Sequence, residues 1–173
     1  ISRDACGDYF VSLALASDTP FRECRKKATN SPIGIDMNLS NFCTMSDGTV
    51  VPNPKYRKSV QSKIAKQQRR VSRRLERAKA DGKTLKNAKN YQKARRQLAL
   101  LHRHYTRQRD DFIGCTSNDA VKNHDFIAVE HLNIKGLLKN HNLAMAISDA
   151  GWYKLQTAVS QKAAAEGIPF IRV

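Results

Sequence analysis

The sequence predicts an α/β fold in which a mixed β-sheet carries an inserted pair of long, basic helices. Short apolar runs bounded by turn residues occur before residue 55 and after residue 122, which is typical of strands. In between, apolar residues recur at helical spacing. The resulting order of three strands, a helical insertion, a strand, a helix and a strand is that of an α/β domain with a mixed sheet.

The elements before residue 55 are expected to be strands. Alternating apolar residues predict a strand at 8–16, and Pro20, Pro32 and the basic residues between them predict a linker over 17–32. Three short strands should follow, with Asp47-Gly48 as a hairpin turn between the last two. Their expected bounds are 33–37, 41–46 and 49–52.

Two amphipathic helices are expected next, within an insertion at about 55–122. The first has a narrow apolar stripe and ends near Gly82. The second has a heptad seam, so the two should form an antiparallel hairpin. The stripe consists of Val60, Ile64, Val71, Leu75 and Ala78. The seam consists of Tyr91, Ala94, Leu98, Leu101, Tyr105, Gln108, Phe112 and Cys115.

The chain should then return to strand at 125–130. A helix over 148–166 is expected to have Ser148 as its N-cap and Asp149 in its first turn, and to stop at Gly167 before a last strand at 168–173. The predicted organisation is an N-terminal strand and linker at 1–32 and one domain at 33–173 that contains the helical insertion.

The charge is concentrated in the predicted insertion. The chain has a net charge of +16, and residues 55–109 hold 20 Lys and Arg against only Glu76 and Asp81. A solvated helix face is the plain alternative, but the lack of neighbouring acids favours phosphate binding. The candidate nucleic-acid-binding residues are Lys63, Lys66, Arg69, Arg70, Arg73, Arg74, Arg77, Arg95, Arg96, Arg103 and Arg107. Tyr56, Tyr91 and Tyr105 could stack on bases, although the last two fall on the seam and are expected in the core.

Two carboxylates stand at the ends of apolar strand runs. Asp36 ends Ile33-Gly34-Ile35, and Glu130 ends Phe126-Ile127-Ala128-Val129. Acids on adjacent strand ends can hold the divalent ions of an RNase H-like nuclease. From spacing alone, Asp36 could equally be a turn-capping acid and Glu130 a partner in a strand-end salt bridge. Asp149 is a weaker candidate, because a place in a first helical turn favours a capping role.

The remaining polar candidates predict no further metal site. The cysteines lack zinc-ribbon spacing and are expected to be reduced and mostly buried. The histidines lack the spacing of a zinc helix and are expected to be solvent-facing or hydrogen-bonded. The cysteines are Cys6, Cys24, Cys43 and Cys115, and the histidines are His102, His104, His124, His131 and His141. Trp152 is expected to be a packing residue. No apolar run is long enough to span a bilayer.

Three strings give the pattern a family context: GIDMNLSNFCTMSDGTVVPNPK at 34–55, VEHLNIKGL at 129–137 and ISDAGW at 147–152. Together with the basic insertion, they resemble the RuvC-like part of TnpB, a family of transposon-encoded, RNA-guided DNA endonucleases related to the type V CRISPR effectors. The resemblance covers roughly residues 8–173.

The resemblance implies specific roles. Asp36 and Glu130 correspond to the first two catalytic carboxylates, which would bind Mg²⁺, with two ions expected in a complete protein. The family's zinc ribbon and third acid are expected beyond Val173, so these 173 residues should bind nucleic acid but cleave it poorly. His131 stands where the family is often acidic. The expected partners are a DNA target and a guide RNA in the prokaryotic cytoplasm at the nucleoid, with no membrane and no small-molecule substrate.

Two rival hypotheses remain. The chain could be a non-catalytic nucleic-acid-binding module that acts through the basic hairpin, or a junction resolvase of the same fold that recognises DNA shape. Loss of Mg²⁺-dependent cleavage without loss of binding, on removal of Asp36 or Glu130, would separate the nuclease from the binding module.

Overall fold

The computed structural model of the protein describes residues 1–14, 16 and 30–173. The chain forms two compact units, one from residues 1–16 and 56–108 and the other from residues 17–55 and 109–173. The predicted linker over 17–32 lies largely outside the described residues.

The first unit contains a small antiparallel hairpin and most of two long helices. Strands β1 (Ser2–Arg3) and β2 (Tyr9–Phe10) pair with each other. The predicted strand at 8–16 is therefore wrong over most of its length, because residues 11–14 and 16 are neither paired nor buried. Alternation alone does not make a strand when no core lies beside its apolar face.

Helices α1 (Tyr56–Ala80) and α2 (Lys89–Asn123) form the predicted antiparallel hairpin. Gln67 of α1 donates a hydrogen bond to the Ala94 carbonyl of α2 at 2.9 Å and contacts Gln97 at 3.2 Å. Gly82 follows α1 with φ 59°, as predicted for a helix stop.

The predicted seam of α2 is correct only in its first part. Ala94 and Tyr105 are buried, but Cys115 is exposed and Ile113 is buried instead. A straight helix has 3.6 residues per turn, so a 3.5-residue seam drifts around its surface. The last part of α2 belongs to the second unit, where it packs on the sheet through Ile113, Ala120 and Val121.

The second unit is built on a five-stranded mixed sheet, which confirms the predicted mixed α/β class. Its strands lie in the order β5-β4-β3-β6-β7. They are β3 (Pro32–Asp36), β4 (Asn41–Met45), β5 (Val50–Pro52), β6 (Phe126–Val129) and β7 (Phe170–Arg172). β3, β6 and β7 are parallel to one another, and β4 and β5 run antiparallel as a meander.

Three helices complete this unit: α3 (Ile134–Leu137), α4 (Ala144–Ala150) and α5 (Trp152–Glu166). The core lies between one sheet face and these helices, and includes Ile35, Ile127, Trp152, Leu155 and Val159. Trp152 is thus a packing residue, as predicted. Gly167 stops α5 with φ 68°, also as predicted.

The predicted single helix over 148–166 is wrong at its start. Gly151 has φ 71° and separates α4 from α5, so Ser148 and Asp149 lie in the last turn of α4. Neither residue begins a helix, and the proposed capping role of Asp149 is therefore incorrect. The left-handed conformation of Gly151 is one that glycine adopts without strain.

Within the described part of the chain, no helix combines the length and the apolar content required to cross a membrane.

Candidate nuclease site

Asp36 and Glu130 lie side by side at the carboxyl ends of two parallel strands. Ile35 of β3 pairs with Val129 of β6, and the Glu130 amide donates to the Ile35 carbonyl at 3.4 Å. Ile35 and Val129 are buried, so the next residue on each strand projects to the opposite face. Asp36 and Glu130 therefore lie on the same face of the sheet, at the carboxyl ends of neighbouring strands, and both are exposed.

The opposite end of the same strand pair is fixed by a third carboxylate. Asp125 accepts hydrogen bonds from the amides of Asn30, at 2.7 Å, and Ser31, at 3.0 Å. Because these bonds join the segments that enter β3 and β6, they favour a single register. A shift by one residue would move either acid to the buried face.

Helix α5 supports the site from the core side. The Gln156 side chain is only 5% exposed, and its amide donates to the Glu130 carbonyl at 2.8 Å. The same amide lies 4.0 Å from the sulfur of Met37, the residue after Asp36. Gln156 thus contacts the backbone of one acid and the neighbour of the other.

Strand β4 provides polar groups beside Asp36. Thr44 is its cross-strand partner, and the Thr44 hydroxyl accepts a hydrogen bond from the Asn38 amide at 3.3 Å. Cys43 is fully buried. Burial, and secondarily the Asp36 carboxylate, raises the pKa of the Cys43 thiol to about 11. The thiol is therefore protonated at neutral pH and is a poor metal ligand.

The site has the chemistry of a hard cation site. Carboxylate oxygens are the ligands that Mg²⁺ prefers, and Mg²⁺ commonly binds through one or two carboxylates while keeping several waters. Among residues 1–14, 16 and 30–173, no group of three or more His, Cys, Asp or Glu side chains could hold a metal. Two carboxylates fit one hydrated Mg²⁺, and the ligand role of Asp36 and Glu130 stays a prediction.

The candidate basic residues fall into three groups: those on α1, those on α2 that contact the N-terminal hairpin, and Arg95 of α2, which is exposed. Those on α1 form no ion pair with any carboxylate of the described residues: Lys63, Lys66, Arg69, Arg70, Arg73, Arg74 and Arg77. All of them are exposed except Arg74, which is half-buried. They are thus available for phosphate oxygens, although binding by these residues stays a prediction.

Some arginines of α2 contact the N-terminal hairpin instead. Arg103 pairs with Asp8 and lies 3.7 Å from Asp4, and Arg107 lies 3.9 Å from Asp8. Arg96 donates to the Cys6 carbonyl at 3.2 Å. Sequence reasoning missed this structural role, because the acids lie some ninety residues earlier in the chain and no local pattern links them.

Gln156 and Asp125 were also missed. A glutamine inside an amphipathic helix and an acid before a strand are common on solvated surfaces, and neither residue type carries a signal of burial. The histidines follow expectation: His102, His104, His131 and His141 are exposed, and His124 is buried with Nδ1 2.9 Å from the Ala120 carbonyl. Of the described cysteines, Cys6 and Cys43 are buried, in line with the expectation of mostly buried thiols, whereas Cys115 is exposed, contrary to its predicted place in the seam of α2.

Comparison with known proteins places the chain in a family. Residues 15–141 match the OrfB_IS605 family, described as "Probable transposase". The chain belongs to this family. The match spans β3 to α3 and includes both Asp36 and Glu130.

Two curated relatives extend the comparison. The chain is 37% identical over 164 residues to a "Putative RNA-guided DNA endonuclease" of Streptomyces pristinaespiralis, an alignment that covers 95% of this chain and 37% of that protein. It is 27% identical over 176 residues to the "Putative RNA-guided DNA endonuclease InsQ" of Escherichia coli (strain K12), covering 91% of this chain and 40% of InsQ. The chain thus spans about two fifths of the length of the relatives that it matches.

Proposed function

We propose that this OrfB family chain is the RuvC-like, RNase H-like part of a TnpB-type RNA-guided DNA endonuclease, and that it works with Mg²⁺ in the prokaryotic cytoplasm. The observation that carries the proposal is the register of β3 and β6, which aligns Asp36 with Glu130. The strand order β5-β4-β3-β6-β7, with three parallel strands and an antiparallel meander, supports the RNase H-like fold.

In this proposal Asp36 and Glu130 hold the divalent ion by their carboxylate oxygens. A bound Mg²⁺ would lower the pKa of a coordinated water and stabilise the leaving oxygen of a phosphodiester. The remaining residues position these acids: Asp125 fixes the strand register, and Gln156 holds the Glu130 backbone. The exposure of both acids leaves room for a nucleic-acid backbone to approach.

The helical hairpin supplies affinity in this proposal. The seven candidate cations of α1 named above form no ion pair among the described residues, so they can release counterions from phosphates without first breaking internal salt bridges. Guide RNA and target DNA share this backbone chemistry, and base pairing between them would select the sequence. The names of the two relatives support an RNA-guided, DNA-cleaving role.

The metal site is tested by titrating the chain with Mn²⁺, a paramagnetic substitute for Mg²⁺, and following free Mn²⁺ by electron paramagnetic resonance. Asp36→Asn and Glu130→Gln are each expected to weaken binding at least tenfold, because two ligands are too few for either to be dispensable. Asp47→Asn is the matched control, since Asp47 is an exposed acid in the turn between β4 and β5. Its carboxylate interacts with His124, which precedes β6, whereas Glu130 follows β6. Equal Mn²⁺ affinity of all three variants would refute the assignment of Asp36 and Glu130 as metal ligands.

Cleavage provides the second test. In a protein of InsQ length that carries this sequence, either substitution should abolish Mg²⁺-dependent cleavage of a guided DNA target. Binding of nucleic acid should stay within about twofold of the parent, because the hairpin provides the affinity. Full cleavage by the Asp36→Asn protein would refute the nuclease assignment.

A non-catalytic binding module is the second candidate. It is favoured by the absence, among residues 1–14, 16 and 30–173, of any cluster of three potential metal ligands. The module predicts nucleic-acid binding without Mn²⁺ binding, whereas the nuclease predicts both. The titration described above therefore decides between the two candidates.

A further inference from the structure

The turn end of the helical hairpin has a cavity of about 440 Å³ that is open to solvent on one side. Its walls come from the last turns of α1, from the connecting turn and from the first turn of α2, so it lies wholly within one unit. Arg74 and Arg77 line one side, Lys83 lies in the connection, and Lys89 and Tyr91 line the other side. The cavity is distinct from the sheet edge that carries Asp36 and Glu130.

The cavity has an excess of positive charge. Four of its lining residues are cationic, and Asp81 is the one acid among them. Asp81 pairs with Lys83 at 3.0 Å, and this neighbour holds the pKa of the Asp81 carboxyl below its usual range. Arg77 also interacts electrostatically with Asp81. Arg74 and Lys89 form no ion pair with a carboxylate of the described residues, so four cations face a single acid and an incoming anion would meet a net positive charge.

The helix ends reinforce this preference. Lys89 is the first residue of α2, and the first turn of α2 contains no acid, so the positive end of the helix dipole lies at the cavity. The last carbonyls of α1 already accept hydrogen bonds from the amides of Asp81, Gly82 and Lys83, at 2.9–3.0 Å. Three carbonyls of this helix end, those of Arg77, Ala78 and Lys79, are therefore already occupied.

Tyr91 adds a flat apolar surface to these cations. It is half-buried in the cavity wall, with the amide side chains of Asn87 and Asn90 nearby in the lining. Proteins commonly bind unpaired nucleotides through cations that contact the phosphate, an aromatic ring that stacks on the base and amides that reach the base edges. The volume suits a ligand of about nucleotide size. A continuous duplex presents no unstacked base to such a cavity.

We infer that this cavity, lined by Arg74, Arg77, Lys89 and Tyr91, holds one unpaired nucleotide, with its phosphate on the cations and its base on the Tyr91 ring. This deepens the proposed function and rests on it, because it gives the hairpin a preference for single strands over duplex. The nucleotide could come from guide RNA or from the displaced DNA strand, which share this chemistry.

The test measures binding of short labelled oligonucleotides by fluorescence anisotropy at one fixed salt concentration. The probes are single-stranded RNA, single-stranded DNA of the same sequence and the corresponding blunt DNA duplex. The charge variant is Arg74→Gln with Arg77→Gln. Its matched control is Lys63→Gln with Lys66→Gln, which removes the same charge from exposed positions of α1 outside the cavity.

The charge variant should lose single-strand affinity about tenfold more than its control, while both lose duplex affinity equally. Tyr91→Leu should weaken single-strand binding by roughly 5- to 150-fold, the range for losing one base–aromatic stack, and leave duplex binding unchanged. Tyr91→Phe keeps the ring and should bind like the parent. Circular dichroism checks folding, and if Tyr91→Leu does not fold, the arginine variant alone decides.

Equal losses in the charge variant and its control, on single strands and duplex alike, would overturn the inference and leave general phosphate binding intact. A parent chain that binds none of the probes would overturn the proposed function of the hairpin as well. A larger loss on RNA than on DNA identifies guide RNA as the source of the nucleotide, and the reverse identifies the displaced strand. Equal losses on both single strands indicate recognition that ignores the sugar.

Discussion

Replacing Gln156 by Met tests whether α5 holds the Glu130 backbone in place. Methionine is unbranched and of similar length, so the substitution removes the hydrogen bond while nearly preserving volume. The bond that is lost joins Gln156 Nε2 to the Glu130 carbonyl at 2.8 Å, in surroundings where the side chain is only 5% exposed.

The size of the effect follows from the partners of that carbonyl. A buried acceptor left with no donor costs about 1–3 kcal/mol. The Glu130 carbonyl also accepts from the Leu132 amide at 3.2 Å, so it does not become fully unsatisfied. We therefore expect the free energy of unfolding to fall by about 1–2 kcal/mol, in the lower part of that range.

The assay is urea denaturation followed by fluorescence of Trp152, the single tryptophan, which is the first residue of α5 and is buried. Thr157→Val is the matched control, because the Thr157 hydroxyl makes only an exposed bond to the Tyr153 carbonyl of its own helix. The control should change the free energy of unfolding by less than about 0.5 kcal/mol. In addition, Gln156→Met should weaken Mn²⁺ binding, as the control should not. An unfolding free energy within 0.5 kcal/mol of the parent would refute the reasoning.

Three other predictions concern pH, backbone strain and salt. Because the pKa of Cys43 is raised by burial from 9.0 to about 11, the unfolded thiol ionises first, and the free energy of unfolding should fall between pH 9 and 11. The free energy of unfolding of Cys43→Ala, measured by pulse proteolysis, should depend less steeply on pH over this range than that of the parent. Equal pH dependence of the two proteins would contradict this prediction. Gly151→Ala should lower the free energy of unfolding more than Gly82→Ala does. A Cβ at Gly151 would lie 3.3 Å from Ile113 Cδ1, whereas a Cβ at Gly82 would have no atom within 4 Å. Both substitutions place alanine in a left-handed conformation, which destabilises the fold by about 1 kcal/mol or more. Equal melting temperatures of the two variants would argue against steric crowding at Gly151. Nucleic-acid affinity should fall steeply as the salt concentration rises, and less steeply in a variant in which a basic cluster of α1 is replaced by Ala. An unchanged slope of log affinity against log salt concentration would exclude phosphate contacts by that cluster. That cluster is Arg69, Arg70, Arg73 and Arg74.

The adjacency of Asp36 and Glu130 was predictable because both acids end runs with strong strand patterns. Ile33-Gly34-Ile35 and Phe126-Ile127-Ala128-Val129 are short, apolar and bounded by polar residues, and the structure forms strands there with ends displaced by no more than a residue or so. Parallel neighbours that end in acids then bring the carboxylates to one edge.

The failures arose where local pattern competed with tertiary contacts. The alternation at 8–16 lacks a neighbouring sheet beyond Phe10, and Val11 and Leu13 remain 65% and 82% exposed. The predicted helix start at Ser148 is wrong because Gly151 ends α4 and so interrupts the helix that the sequence pattern predicts as continuous. A glycine between two helical stretches can signal such a break. No local signal was available for Gln156 or for the pairing of Arg103 with Asp8, since both depend on residues distant in sequence.

The register of β3 and β6 also determines when the site can form. Asp36 and Glu130 are 94 residues apart in sequence, so the pairing of their strands closes a very long loop. Compared with a ten-residue turn, closing a flexible loop of about ninety residues costs roughly 2 kcal/mol more in chain entropy. Helices form in microseconds from local contacts, whereas long-range parallel pairing is slow. During folding, the positively charged hairpin should therefore mature ahead of the paired acids, and a newly made chain would gain affinity for nucleic acid before it gains an ordered site for the metal.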